Sequence, residues 1–275
     1  KEGSDFMIID THAHIGKTLN FIMSEKMVLD SMKANQIDFA IVSNVEAIEV
    51  DHNQNLLPKD KQVSQVSANR KAINFARKHK DQIGVALWVK PLQEKPNQRL
   101  ENLIKENRDY IFAMKFHPYH SKISFNSPEV REYVKLAEKY QLPIVTHTAA
   151  GFDCSPLRVL EVAKDFPNTN FIMVHLGLYT DYSEIREVFS HQLPNIYGDT
   201  TWVALKVAKE IIKTYGNHLL VFGTDNPIDG INTLKKEIYQ DYLLKASKEL
   251  AKEEYENLMY KNAINIFNIK LQVHE

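Results

Sequence analysis

The sequence has almost no cysteine, with one residue, Cys154, in 275. An internal disulfide is thereby excluded, and the count fits a reducing compartment, so a cytoplasmic protein is expected. No apolar run approaches the roughly 20 residues a membrane-spanning helix needs. The first residues, KEGSDF, lack the apolar core of a signal peptide. Charge of one sign is missing as well. Thirty-four basic and 35 acidic residues leave a formal net charge of −1, so no global field favours nucleic acid or an anionic membrane. No basic stripe with interleaved aromatics is present either, and nucleic acid is not an expected partner. Glycine and proline are sparse, at 9 and 10, and no low-complexity stretch marks a linker. Residues 1–275 therefore read as a single domain. What remains, 44% hydrophobic and 25% charged residues, is ordinary for a globular chain.

Short apolar runs alternate with amphipathic, charge-rich segments. The runs predict strands over 6–15, 38–45, 83–89, 111–117, 143–148, 170–176, 196–201 and 219–224. Between them SEKMVLDSMKANQ, SQVSANRKAINFARKHK, NQRLENLIKEN, SPEVREYVKLAEKY, SPLRVLEVAKDF, SEIREVFS, ALKVAKEIIKTYG and NTLKKEIYQDYLLKAS carry helical spacing. Ser127 before Pro128 and Ser155 before Pro156 read as N-caps followed by proline at the first helical position, and Gly216 stands where a helix would end. Strands rich in Val, Ile and Phe without clean alternation indicate burial on both faces, as in parallel sheets. Eight strand–helix pairs in this length predict an α/β fold, a closed (β/α)₈ barrel of the TIM type. An open doubly wound sheet would usually carry a Gly-rich phosphate turn after an early strand, and none is present. The segment SKELAKEEYENLMYKNAINIFNI reads as one or two helices appended to the barrel, and these could form a homodimer interface.

Polar residues fall where such a barrel keeps its chemistry, at the C-terminal ends of strands. FMIIDTHAHIG ends the first strand with His12 and His14 two residues apart, hence on one face, with Asp10 below them. Two imidazoles fixed side by side suit a metal ion better than a packed core. AMKFHPY ends the fourth strand with Lys115 and His117, PIVTHT the fifth with His147, FIMVHLG the sixth with His175, and LVFGTDNP the eighth with Asp225. Random placement of eleven histidines would not favour strand ends.

This ordered set, DTHAH, KFHP, THT, HLG and GTDNP, resembles the amidohydrolase superfamily, and within it the amidohydrolase-2, or aminocarboxymuconate-semialdehyde decarboxylase-like, branch. The likeness spans nearly the whole chain, including the closing YKNAINIFNI. It implies a divalent metal held by His12, His14, His147 and Asp225. Zinc is the first expectation, and manganese, iron and cobalt suit the same donors. One ion is expected, or two if Lys115 is carboxylated to a bridging carbamate with His175 on the second ion.

The same likeness implies a metal-dependent hydrolase. Asp225 would take the proton of an activated water that attacks a small-molecule amide, lactone or related bond, and His175 would act as acid–base or contact substrate. Lys115 and His117 would hold a substrate carboxylate, since a cation near the metal suits an acidic small molecule. The alternative reaction is non-oxidative decarboxylation of a small carboxylic acid with the same ligands. Asp10 either orients a histidine or caps a backbone turn. The loop after the second strand, containing His52, is long enough to cover the site. His120, Trp88 and Trp202 fall near strand ends and read as pocket lining or, for the two tryptophans, equally as packing. His79, His191, His218 and His274 look like surface or helix-end residues. Cys154 lies near the rim without an evident activating base.

Overall fold

The computed structural model describes residues 6–271. The expected alternation of strand and helix is there. Strands β1 (Ile9–Thr18), β2 (Phe21–Met23), β3 (Phe39–Asn44), β4 (Ile83–Trp88), β5 (Ile111–Phe116), β6 (Ile144–Ala149), β7 (Phe171–Leu178), β8 (Ile196–Asp199) and β9 (Leu220–Val221) form one sheet in the order β2-β1-β3-β4-β5-β6-β7-β8-β9. All pairings are parallel except β1 with β2, a short antiparallel hairpin. The sheet curls, and its two ends meet through backbone bonds. Thr11 N donates to Phe222 O at 2.9 Å, Asp225 N to His12 O at 2.7 Å, and His14 N to Asn226 O at 2.9 Å. Strands β3 and β4 are buried at every residue, which explains their unbroken apolar runs.

Helices α1 (Glu25–Ala34), α2 (Gln65–Lys78), α3 (Gln98–Glu106), α4 (Pro118–Ser121), α5 (Pro128–Lys139), α6 (Pro156–Asp165), α7 (Ser183–Ser190) and α8 (Leu205–Tyr215) connect the strands. Helices α1, α2, α3, α5 and α6 start from a side-chain cap. Ser127 Oγ accepts from Val130 N and Ser155 Oγ from Leu157 N, with proline at the first turn of α5 and α6, so orphan amides are satisfied where the sequence places caps. Gly216 ends α8 with φ 122°, a conformation that suits a residue without Cβ.

Three differences from the sequence reading have physical causes. The β1–β2 hairpin extends the first strand to Thr18. Leu19, at φ 52°, turns the chain there, and no Asn-Gly pair announces it. The last parallel strand is only Leu220–Val221, because residues 222–226 leave regular pairing to reach β1. The C-terminal region forms two helices as expected, over 237–249 and 252–267, but each carries a π turn in its middle. A 3₁₀ segment, Gly230–Lys235, precedes them, and the breaks fall at Lys236 and Leu250, where ψ is 143° and 152°. These segments bury Leu234, Tyr239, Tyr242, Leu258, Met259 and Phe267 in the main core. His274 lies outside the described residues.

Candidate metal centre

Three polar side chains converge where β1 meets the end of the sheet. His12 Nε2 and His14 Nε2 each lie 2.9 Å from Asp225 Oδ1 and 3.1 Å from each other. All three residues are at least nine-tenths buried. The other nitrogen of each ring is held from behind. His12 Nδ1 faces Asp199 Oδ2 at 3.0 Å, and His14 Nδ1 faces Ser43 Oγ at 2.9 Å. The Asp199 contact fixes the proton of His12 on Nδ1 and leaves Nε2 as a lone pair directed at the cluster. Trp202 Nε1 donates to the second oxygen of Asp225 at 2.8 Å. Two imidazole nitrogens and a carboxylate oxygen, all within 4.8 Å of one another, fit a divalent cation, and they form the one such group among the described residues.

Close backbone approach makes this possible. A Cβ on Gly223 would meet Thr201 Oγ1 at 2.6 Å, Asp199 Oδ2 at 2.9 Å and His12 Cβ at 3.0 Å, so a side chain there would push the end of the sheet off the cluster. His175, Trp202 and Asp225 all adopt positive φ, at 69°, 59° and 63°. L-residues rarely take this conformation, and three of them at one rim mark a place where tertiary contacts override local preference.

Asp199 organises the cluster from below. It accepts from His175 N at 2.9 Å, Thr201 N at 3.1 Å and Thr201 Oγ1 at 3.0 Å, besides facing His12. Burial alone would raise its pKa, but His12, His175 and these bonds keep it below the ordinary carboxylate value. Asp225 behaves alike. Burial pulls it up, and the two imidazoles outweigh that and hold it well below the carboxylate range. His14 is pushed down to about 4, chiefly by burial. Burial and Lys115 also push His12 down, but Asp225 and Asp199 prevail and its pKa lies above the ordinary value. Asp10 sits at a register irregularity inside β1, between its pairing with Ala40 and that of Ala13 with Val42. Its Oδ1 accepts from His12 N at 3.0 Å and its Oδ2 from Thr224 Oγ1 at 2.5 Å, while burial raises its pKa to about 7.

The other expected residues share one cavity of about 1030 Å³ with the cluster. Lys115 Nζ is 3.3 Å from His12 Nε2 and 5.9 Å from the Trp88 ring centre. Burial lowers its pKa to about 8 against the pull of Asp225 and Asp199. His147 stands apart from the group of three. Its ring stacks on His117 with centroids 3.9 Å apart and meets His175 edge-on at 5.0 Å. His175 Nδ1 faces Thr201 O at 2.8 Å, so the proton sits on Nδ1 and Nε2 is an acceptor. Cys154 lines the cavity, but burial pushes its thiol up to about 12, far from a thiolate nucleophile at neutral pH. Trp88, Trp202 and His120 also line it, whereas His52 is exposed and its loop reaches the cavity through Gln54 instead. His191 and His218 are exposed, and His79 ends α2. Asp199, Thr201, Ser43 and Gln54 were not among the expected residues. Asp199 and Ser43 carried the same strand-end signal as the histidines, in NIYGDT and IVSN, but not as histidine.

The family model described as amidohydrolase matches residues 9–269. The chain belongs to the amidohydrolase family. No curated protein matches it by sequence. Among solved structures, it is similar to 5-carboxyvanillate decarboxylase from Novosphingobium aromaticivorans, solved with manganese. The TM-score is 0.71 at 12% identity, covering 96% of this chain and 98% of that one. It is also similar to 2,6-dihydroxybenzoate decarboxylase from Rhizobium, with TM-score 0.69, 15% identity and coverage of 96% and 99%. A third is a protein from Acinetobacter baumannii assigned as a 2-pyrone-4,6-dicarboxylic acid hydrolase and solved with citric acid. Its TM-score is 0.62, with 14% identity and coverage of 95% and 99%. At these identities the likeness is one of fold. This amidohydrolase thus has both decarboxylases and a hydrolase among its structural neighbours. No helix among its described residues is long and apolar enough to cross a membrane.

Proposed function

We propose that this amidohydrolase is a metal-dependent hydrolase of a small, carboxylate-bearing molecule, built as a single closed (β/α)₈ barrel. The bonds from β1 to residues 222–226 support closure, since they join the two ends of the parallel series. The observation that carries the functional reading is the convergence of His12 Nε2, His14 Nε2 and Asp225 Oδ1 at the floor of an apolar-walled cavity. His147, which meets His175 edge-on in the same cavity, is the fourth residue to which we assign ligation. Zinc, manganese, iron or cobalt suits these donors. When bound, the ion supplies Lewis acidity at the triad.

The residues of the chain do the rest. Trp202 Nε1 fixes the Asp225 carboxylate by one oxygen, so the other is oriented to take a proton from an attacking water. His175 carries an acceptor Nε2 beside the cluster, and through it the proton can pass to the departing amine or alkoxide as the scissile bond breaks. Lys115, buried in the same cavity, pairs with the substrate carboxylate, with His117 beside it.

Decarboxylation is the second reading, favoured by the aromatic wall of Phe21, Trp88, Tyr179 and Trp202. A flat ring held there could keep the C–C electron pair while CO₂ leaves and the ring carbon takes a proton. Two measurements test the proposal. Metal analysis of protein purified without chelators should find about one ion per chain, and none after reconstitution would overturn the ligand assignment. Turnover of lactone, amide and hydroxybenzoic acid panels in ¹⁸O-water should then place label in a new carboxylate. Release of CO₂ without label in the organic product would instead establish the second reading.

A further inference from the structure

Three imidazoles form a face-to-face column along one wall of the cavity. His147 stacks on His117 at 3.9 Å, and His117 on His120 at 4.0 Å. The column runs from beside His175 outward to His120, on α4. There it meets the loop that follows β3. His120 Nδ1 and Gln54 Oε1 are 3.3 Å apart, and Lys122 Nζ donates to Gln54 O at 2.7 Å. Gln54 itself is turned to φ 61°, so this loop is clasped to α4 by both its side chain and its backbone.

The chemistry of that outer pair follows from its one internal bond. With the amide oxygen towards His120, Nδ1–H donates to it. His120 Nε2 is then an acceptor, and the Gln54 amide N–H groups are free donors. If the amide is turned over, Gln54 donates to Nδ1. His120 Nε2–H then becomes the donor and the Gln54 oxygen the acceptor. Either way the pair offers the cavity both donors and a single acceptor, with no formal charge. A hydroxyl or a carboxamide complements both. A carboxylate, which only accepts, leaves the pair's acceptor facing a like partner. The charges of the cavity point the same way. Lys115 is the only lysine or arginine among its described lining residues, and Asp229 is a further acid there.

We propose that His120 and Gln54 are specificity-determining residues that select a neutral hydroxyl or carboxamide at the end of the substrate remote from its carboxylate, and reject a second carboxylate. This rests on the proposed capture of one carboxylate near Lys115.

The test uses the metal-loaded protein and a panel of benzoate, 3- and 4-hydroxybenzoate, isophthalate and terephthalate, with binding followed by calorimetry. At least one hydroxybenzoate should bind roughly tenfold tighter than benzoate, as one well-formed hydrogen bond provides, and both dicarboxylates should bind more weakly than benzoate. In His120→Phe and in Gln54→Leu, folded by circular dichroism, the hydroxybenzoate-to-benzoate ratio should fall towards one. A dicarboxylate binding as tightly as the best hydroxybenzoate, or a ratio unchanged in both variants, would overturn the role of the pair. If benzoate binds with no preference for a hydroxyl, the pair fails while carboxylate capture stands. If no member binds, capture at Lys115 fails and this proposal with it.

Discussion

Lys90 lies just past the end of β4 and Lys115 near the end of the neighbouring β5, and both are almost completely buried, at 1% and 2% exposure. Their surroundings differ. Lys90 Nζ donates to Gln62 Oε1 at 3.1 Å and Val63 O at 3.0 Å, with Glu94 at 3.7 Å and Glu49 at 3.9 Å. Both oxygens of buried Glu49 lack a hydrogen bond among the described residues, and burial, ahead of the opposing pull of Lys90, raises its pKa to about 7. Lys115 lines the large cavity, beside imidazole nitrogen rather than a saturating set of oxygens. A buried charge therefore does not by itself locate a functional site. Lys90 ties loops together, whereas Lys115 faces space that a ligand can enter. The comparison separates a cation consumed by structure from one kept available.

The sharpest way to mark the reactive cluster is Asp225→Asn. Turnover should drop by about 10³-fold or more while the far-ultraviolet circular dichroism is unchanged, because a proton acceptor and a ligand oxygen are both lost. Retention of turnover within tenfold would remove Asp225 from the chemistry. Next in size, Lys90→Met should lower stability in urea by about 3 kcal/mol at pH 8, since Glu49 would be left buried without its cation. Lys115→Met should cost less than about 1 kcal/mol, because that lysine is already disfavoured by burial, yet it should abolish binding of benzoate. Equal destabilisation by the two substitutions would break the contrast. Asp199→Asn should weaken metal binding by roughly 10–100-fold in a competition titration, through loss of the group that fixes the His12 tautomer.

The smallest effect concerns pH. Glu49 titrates near 4.5 when unfolded and about 7 when folded. Between those values the folded protein keeps a proton that the unfolded chain has released, so stability falls as pH rises through this window. Glu49→Gln should flatten that fall by on the order of 1–2 kcal/mol. Asp10, raised to about 7 by the same cause, should leave a residual slope of the same sign. An unchanged profile in Glu49→Gln would show that the Lys90 cluster is relaxed by water in solution.

The legible part of the site had one signature, a polar residue closing an apolar run. His12, His14, Lys115, His117, His147, His175 and Asp225 all carried it, and all seven line one cavity. Asp199 and Ser43 carried it more faintly, as an acid and a hydroxyl that are equally common in turns. Trp202 could be read as packing, and only its 2.8 Å bond to Asp225 shows what its indole nitrogen holds. Gln54 was unreadable, because a loop residue gains meaning only from the element it is folded against. The C-terminal helices were legible as helical and apolar. Their π turns were not, because a 3.6-residue period carries no mark of an extra residue in a turn.

By itself, then, the sequence determined the alternation of strand and helix, the caps of α5 and α6, and which strand ends carry ligand-type side chains. These follow from local periodicity and from residue chemistry, both of which act over a few positions. The tertiary structure decided which of those side chains touch. His12 and Asp225 are 213 positions apart and lie 2.9 Å from each other only because the curled sheet brings its last strand back to its first. It also decided that His147 stacks on His117 and that the β3 loop is clasped to α4, since no local rule fixes a contact between segments so far apart along the chain.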